Sequence, residues 1–151
     1  MMYDDFEENA LQELKRADQS IYVTLKYTRT ADVIKGIIKR LINAYDFVVL
    51  AALDVLEIKP DPIKRLRMSQ LAVKLKEAKK DLDFYTLLRK MDQADFSGRE
   101  EYRKNVTLIT KFGEVNMVTL TEYFERTKRF VAMVEEFTSK KRVLKAKKKK
   151  R

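Results

Sequence analysis

The stretch from Thr30 to Ile58 does most to decide the architecture. Ile34, Ile38, Leu41, Tyr45, Val48, Ala52 and Val55 recur in alternating steps of four and three residues, and a second stripe of Val33, Ile37, Ile42, Val49, Leu53 and Leu56 runs beside it. Such steps trace one face of a helix with 3.6 residues per turn. Two adjoining stripes make that face wide enough to be covered by several neighbours at once, so the segment reads as a central helix about 40 Å long at 1.5 Å per residue. Its polar edge is Lys35, Lys39, Asn43, Asp46, Asp54 and Glu57. Only three glycines and two prolines occur in 151 residues, so the remaining periodic segments also favour long helices.

From Asp4 to about Tyr27, the residues Ala10, Leu14, Ala17, Ile21 and Leu25 predict one amphipathic helix with an acidic first turn that suits the helix dipole. A bend is expected at Tyr27–Thr30, with Thr30 capping the central helix. Lys59-Pro60-Asp61-Pro62 stops that helix and starts a third, with Asp61 as cap and Pro62 in the first turn. Ile63, Leu66, Leu71, Leu75 and Ala78 carry the third helix onward; a bend near Lys80-Asp81 and an unbroken run through Met91 fit the pattern equally well. Residues 92–98 read as a loop and Arg99–Lys104 as a short polar helix. Val106–Thr110 and Val115–Val118 flank a glycine-bearing turn and predict a β-hairpin. Thr119 and Glu122 have the spacing of a capping box for the last helix, whose apolar seam is Tyr123, Phe130, Val134 and Phe137. The expected fold is all-α, a four- to five-helix bundle with one small β-hairpin before the C-terminal helix. Its domain spans residues 1–138 and is followed by a basic, disordered tail at 139–151.

Charge divides the chain at that boundary. The net charge is +10, and Lys140, Lys141, Arg142, Lys145, Lys147, Lys148, Lys149, Lys150 and Arg151 supply nine cations in twelve residues without one acid. The body is left with 24 basic and 23 acidic residues. A flexible cationic arm displaces counterions from phosphates and binds RNA or DNA with little sequence preference; lysine-rich ends also serve solubility. The arm has only Val143 and Leu144 to insert into a lipid surface, too little for an anchor. A second basic run, Lys59–Lys80, includes Lys64, Arg65, Arg67, Lys74 and Lys76 and reads as a solvated helix face.

Chemistry is constrained by what the chain omits. It has no cysteine and no histidine, which removes thiol catalysis, Cys-ligated zinc and the one side chain that titrates near neutrality unaided. No phosphate-loop, dinucleotide-binding, zinc-protease or calcium-loop motif occurs. No cofactor and no metal site is expected, the acidic Asp4–Glu8 run reading as a wet helix start. The acidic N-terminus does not resemble a secretory signal and no apolar run reaches membrane-spanning length, so a cytoplasmic protein without a membrane partner is expected. Tyr27 and Arg29, an aromatic–cation pair at the first bend, are candidates for stacking and phosphate contact or for locking two helices together. Phe47 and Leu50, near the polar edge of the central helix, are candidates for a dimer patch or for cover by another helix.

The layout of two long N-terminal helices with an arginine-bearing polar segment late in the chain resembles the HEPN superfamily. The nearest match to that family's RNase signature, an arginine followed after four to six residues by a histidine, is Arg99-Glu-Glu-Tyr-Arg-Lys-Asn105. The Tyr27–Phe47 stretch also resembles uncharacterised archaeal proteins of similar length. The HEPN resemblance implies a helical homodimer that accompanies a nucleotidyltransferase or, alternatively, cleaves RNA without metal. Asn105 departs from the pattern: asparagine hydrogen-bonds a phosphate or a ribose hydroxyl but is no general base. Arg99, Tyr102 and Asn105 are then binding candidates, or else a solvated helix entering the hairpin. The expected function is a non-catalytic helical binding module whose lysine-rich arm contacts RNA or DNA. The alternatives are a protein-interaction subunit of a nucleotidyltransferase or toxin–antitoxin-like pair, and a HEPN-type RNase with a degenerate motif.

Overall fold

The structure, a computed structural model, describes residues 2–149. It is mostly helical, with one small antiparallel sheet. Helix α1 spans Met2–Gln19 and passes through a single π-turn, Ser20–Thr24, into α2, Leu25–Tyr27. The π-turn has a register cause. Ala17, Ile21 and Leu25 are all buried and lie four residues apart. Each four-residue step overshoots a 3.6-residue turn by about 40°, and the wider π-turn, closed from Leu25 N–H to Ser20 O, takes up the drift.

The predicted central helix is α3, Ala31–Val55. The Thr30 hydroxyl accepts from Val33 N at 3.3 Å, as a helix cap should. At its far end Ile58 N reaches Leu53 O and Glu57 N reaches Asp54 O, the paired bonds of a Schellman ending. Glu57 sits there at φ 60, a left-handed position that glycine ordinarily fills.

Beyond α3 the prolines do less than expected. Asp61 Oδ1 accepts from Ile63 N to form a tight turn, and Pro62 lies before the helix rather than within it. A 3-10 turn, Lys64–Leu66, precedes α4, Arg67–Lys74. Leu75 then turns extended, at φ −132 and ψ 101, because its side chain enters the core while its N–H closes the last turn of α4. Helix α5, Lys76–Lys79, and helix α6, Leu82–Gln93, follow. The break at Lys80-Asp81 is real and is tied from outside: Arg126 Nε donates to Asp81 Oδ1 at 2.7 Å and Arg126 Nη2 to Lys80 O at 3.2 Å.

The expected hairpin is part of a three-stranded antiparallel sheet: β1 Phe96–Arg99, β2 Thr107–Thr110 and β3 Gly113–Val115, in that order. The β2–β3 turn holds Gly113 at φ +147; Thr110 Oγ1 accepts from Phe112 N and donates to Gly113 O. Strand β1 corrects the reading of a loop followed by a polar helix at Arg99–Lys104. Its residues FSGR have no strand pattern of their own and are extended by pairing with β2, Phe96 opposite Thr110 and Arg99 opposite Thr107. The last helix, α7, spans Met117–Lys149, starts two residues earlier than expected, and is capped by Asn116 Oδ1, which accepts from Thr119 N at 2.9 Å. Thr119 is therefore inside the helix and forms no capping box.

Helices α1, α4, α6 and α7 and strand β2 all pack on α3. The centre of the core is aromatic: the Tyr45 ring lies 4.6 Å from Phe130, 5.6 Å from Tyr85 and 6.1 Å from Phe84 between centroids. Phe47 is half-buried against this core, which agrees with cover by neighbouring elements.

Candidate nucleic-acid interface

Residues 139–149 do not form the separate disordered tail read from the sequence; they continue α7 as helix. Three causes act together. Lysine, arginine, alanine and leucine are good helix formers. Cations near a helix C-terminus meet the negative end of its dipole. And two of the arm's cations dock on the body. Arg142 Nη2 lies 2.5 Å from Glu7 Oε1, which also accepts from Thr138 Oγ1 at 2.5 Å. That pair is mostly buried, and a hydrogen bond to a charged group of this kind contributes about 1.5–3 kcal/mol. Lys145 Nζ lies 3.2 Å from Glu57, the left-handed residue that ends α3; this exposed pair contributes about 0–1 kcal/mol.

Docking sorts the arm's cations. Arg142 and Lys145 face the body, whereas Lys140, Lys147 and Lys148 remain in solvent, with Lys140 paired one turn back to Glu136 at 3.1 Å. The Lys141 ammonium lies 5.7 Å from the centre of the Phe137 ring. Val143 and Leu144 are half exposed between these lysines. The Lys149 side chain, Lys150 and Arg151 lie outside the described residues. After Glu136 no acid follows on α7, so the charges on the solvent side of this stretch of helix are all of one sign.

The other candidates are placed differently. Arg99 is the last residue of β1, and its guanidinium reaches across β2 to grip Glu114 on β3 with Nη1 and Nη2, both at 2.9 Å. Each partner holds the other charged: Glu114 raises the Arg99 pKa, and Arg99 lowers that of Glu114. Arg99 and Asn105 do share a cleft of about 260 Å³ with Glu100, Lys104, Thr107 and Asn116, but Tyr102 is not in it. Tyr102 stands in solvent at φ 66, and its backbone N donates to Arg29 O at 2.6 Å. The bend at Tyr27 and Arg29 is thus tied to the 99–105 segment through main chain, while the Tyr27 ring is 79% exposed and locks nothing. The reading of 99–105 as a solvated helix is corrected by the strand and turn.

Sequence reading missed a polar network under α3. The Tyr85 hydroxyl donates a short hydrogen bond to Asp46 Oδ1, and Arg89 Nη1 donates to the same hydroxyl at 3.1 Å and lies 3.6 Å from Asp46 Oδ2. Asp46 and Arg89 line a crevice of about 190 Å³ with Lys39, Asn43, Lys64, Asp92 and Gln93. The signal was present in part: Tyr85 and Arg89 are spaced to share one helix face, and Asp46 lies on the polar edge already read from α3. Burial pushes the Asp46 carboxyl up, and the Tyr85 and Arg89 contacts offset this only in part. Burial and the neighbouring carboxylate likewise push the Tyr85 phenol up. The carboxylate accepts from Tyr85 and is ion-paired with Arg89, both on α6, so the network is suited to fixing α6 on α3.

A pH dependence follows. The folded pKa of Asp46 lies above the ordinary value of 3.8, so between the two values the folded protein binds more protons than the unfolded chain, and stability falls as pH rises. Asp46→Asn removes that fall. Urea unfolding of the two proteins at a series of acid pH values from 3.8 upward is expected to show the wild type losing stability relative to the variant as pH rises.

Among the described residues no group of three or more acidic side chains is placed to hold a metal ion, and no helix is long and apolar enough to cross a membrane. Compared with protein-family models, curated proteins and solved structures, the chain finds no match.

Proposed function

We propose that the protein is a non-catalytic binding module that holds RNA or DNA phosphates on the solvent side of α7 beyond residue 139. The observation that supports this reading most is the sorting of the arm: Arg142 and Lys145 dock it on Glu7 and Glu57 while Lys140, Lys147 and Lys148 stay exposed, with no acid beyond Glu136. A docked helix of this kind presents its charges at a lower ordering cost than a disordered arm incurs on binding. It has no aromatic beyond Phe137, so recognition is of backbone phosphate and not of bases.

Binding of a labelled single-stranded RNA, followed by anisotropy, is expected to depend little on sequence and steeply on salt. Neutralising four phosphates on a single strand gives a slope of log affinity against log salt near −3; the four lysines at 140, 141, 147 and 148 set that lower bound. A flat salt response would contradict the proposal. It would favour the protein-interaction reading, which has its own supporting feature, a groove of about 550 Å³ between α1 and α7 lined by Leu11, Tyr22, Phe124 and Val131. The HEPN-type RNase reading fares less well, because both ends of the Arg99 fork are occupied by Glu114.

A further inference from the structure

A second groove, of about 430 Å³, lies between the π-turn at Ser20 and the first half of α3, lined by Ser20, Val33, Gly36, Ile37, Lys39, Arg40 and Asn43. Gly36 is the feature without a structural cause. Glycine is the poorest helix former after proline, yet it stands inside the helix on which the whole fold packs. A methyl group built at Gly36 would meet no atom within 4 Å, so close packing does not require its absence. What the missing side chain leaves is open space in the groove.

The groove's polar groups are arranged for an anion. Arg40 is held by Glu13, whose side chain is 9% exposed, and both contacts, at 3.3 and 3.2 Å, use Nη1. The buried carboxylate thus orients the guanidinium while the Nε and Nη2 donors remain for another acceptor, the geometry that suits a phosphate. Lys39 forms no ion pair among the described residues, and no acid is among the residues lining the groove. Ser20 and Asn43 add a hydroxyl and an amide, and the half-buried Val33 supplies an apolar wall, with Ile37 fully buried behind it. A concave site with an apolar wall and a few oriented polar groups is the usual form of a small-molecule pocket, and its volume falls in the usual range of about 300–1,000 Å³.

We propose that this groove binds a small phosphate-bearing molecule with an apolar ring, of the mononucleotide class, its phosphate on Lys39 and Arg40 and its ring over Gly36 against Val33. The site is independent of the arm. Gly36 and Glu57, where Lys145 docks, are about 30 Å apart along α3 at 1.5 Å per residue.

The test is calorimetric titration of the full chain with adenosine 5′-monophosphate, adenosine and inorganic phosphate. The monophosphate is expected to bind with Kd below about 1 mM, and adenosine and phosphate each at least about tenfold more weakly, since each makes only half of the contacts. Gly36→Leu fills the groove and improves the helix, so it is expected to weaken monophosphate binding at least about tenfold while raising Tm by about 2–4 °C. Lys39→Ala, on an exposed residue, is expected to weaken binding about tenfold with Tm unchanged. Absence of binding to wild type overturns the proposal, as does phosphate binding as tightly as the monophosphate. A Gly36→Leu protein that melts at or above wild type and binds equally well also overturns it. Should Gly36→Leu melt lower, Lys39→Ala decides by the same criterion.

Discussion

Tyr45→Ala is expected to lower the free energy of unfolding by about 3–5 kcal/mol, the range for removing a large aromatic from a closed core. For a chain of this length that is a fall in Tm on the order of 10 °C. Tyr45 has no exposed surface, and its ring touches Phe84 and Tyr85 on α6 and Phe130 on α7. Truncation therefore opens a cavity where three helices meet, and none of them can move in to fill it without leaving α3. The hydroxyl behaves differently. It is buried beside the Thr127 side chain and makes no hydrogen bond of ordinary geometry, and a buried, unsatisfied hydroxyl costs about 1–3 kcal/mol. Tyr45→Phe is accordingly expected to leave stability unchanged or raise it. Urea unfolding of both variants checks the pair: a large loss for Phe would mean that the hydroxyl is bonded after all, and a loss below about 2 kcal/mol for Ala would mean that the core collapses around the site.

The parts of this fold that were legible in the sequence are those governed by local rules. The two stripes of α3 name its buried face almost residue by residue, and Thr30 is both the predicted and the observed cap. What escaped was set from outside the segment concerned. FSGR became β1 because β2 offered an edge, and nothing in those four residues announces a strand. Leu75 broke a helix in which it fits the periodicity, because the core claimed its side chain. Asn116 displaced Thr119 as cap, though both are good caps; only the end of β3 at Val115 decides between them.

The candidate site divides in the same way. The cationic surplus of residues 140–151 is visible by counting, but its order is not, because the carboxylates that order it, Glu7 and Glu57, lie more than 80 residues away in sequence. Asp46, Tyr85 and Arg89 were hidden for the same reason. Arg99 and Asn105, singled out together, do come together in one cleft, yet the arginine is closed by Glu114, a residue the pattern gave no reason to choose. Pairing across long separations is what a single sequence conceals, and in this protein Arg142, Lys145 and Arg99 get their partners that way.

The most direct test of the proposed interface leaves its docking contacts intact. Replacing Lys140, Lys141, Lys147 and Lys148 together by Gln removes four lysine charges, three of them in solvent and that of Lys141 beside the Phe137 ring, and keeps Arg142 on Glu7 and Lys145 on Glu57. Helix content and Tm are expected to stay at wild-type values, because surface substitutions away from packed contacts usually change stability by less than about 0.5 kcal/mol. Single-stranded RNA affinity at low salt is expected to fall on the order of 100-fold, and the slope of log affinity against log salt to become shallower by about 3. An unchanged affinity and an unchanged slope in the folded variant would contradict the account and place polyanion binding, if any, elsewhere on the protein.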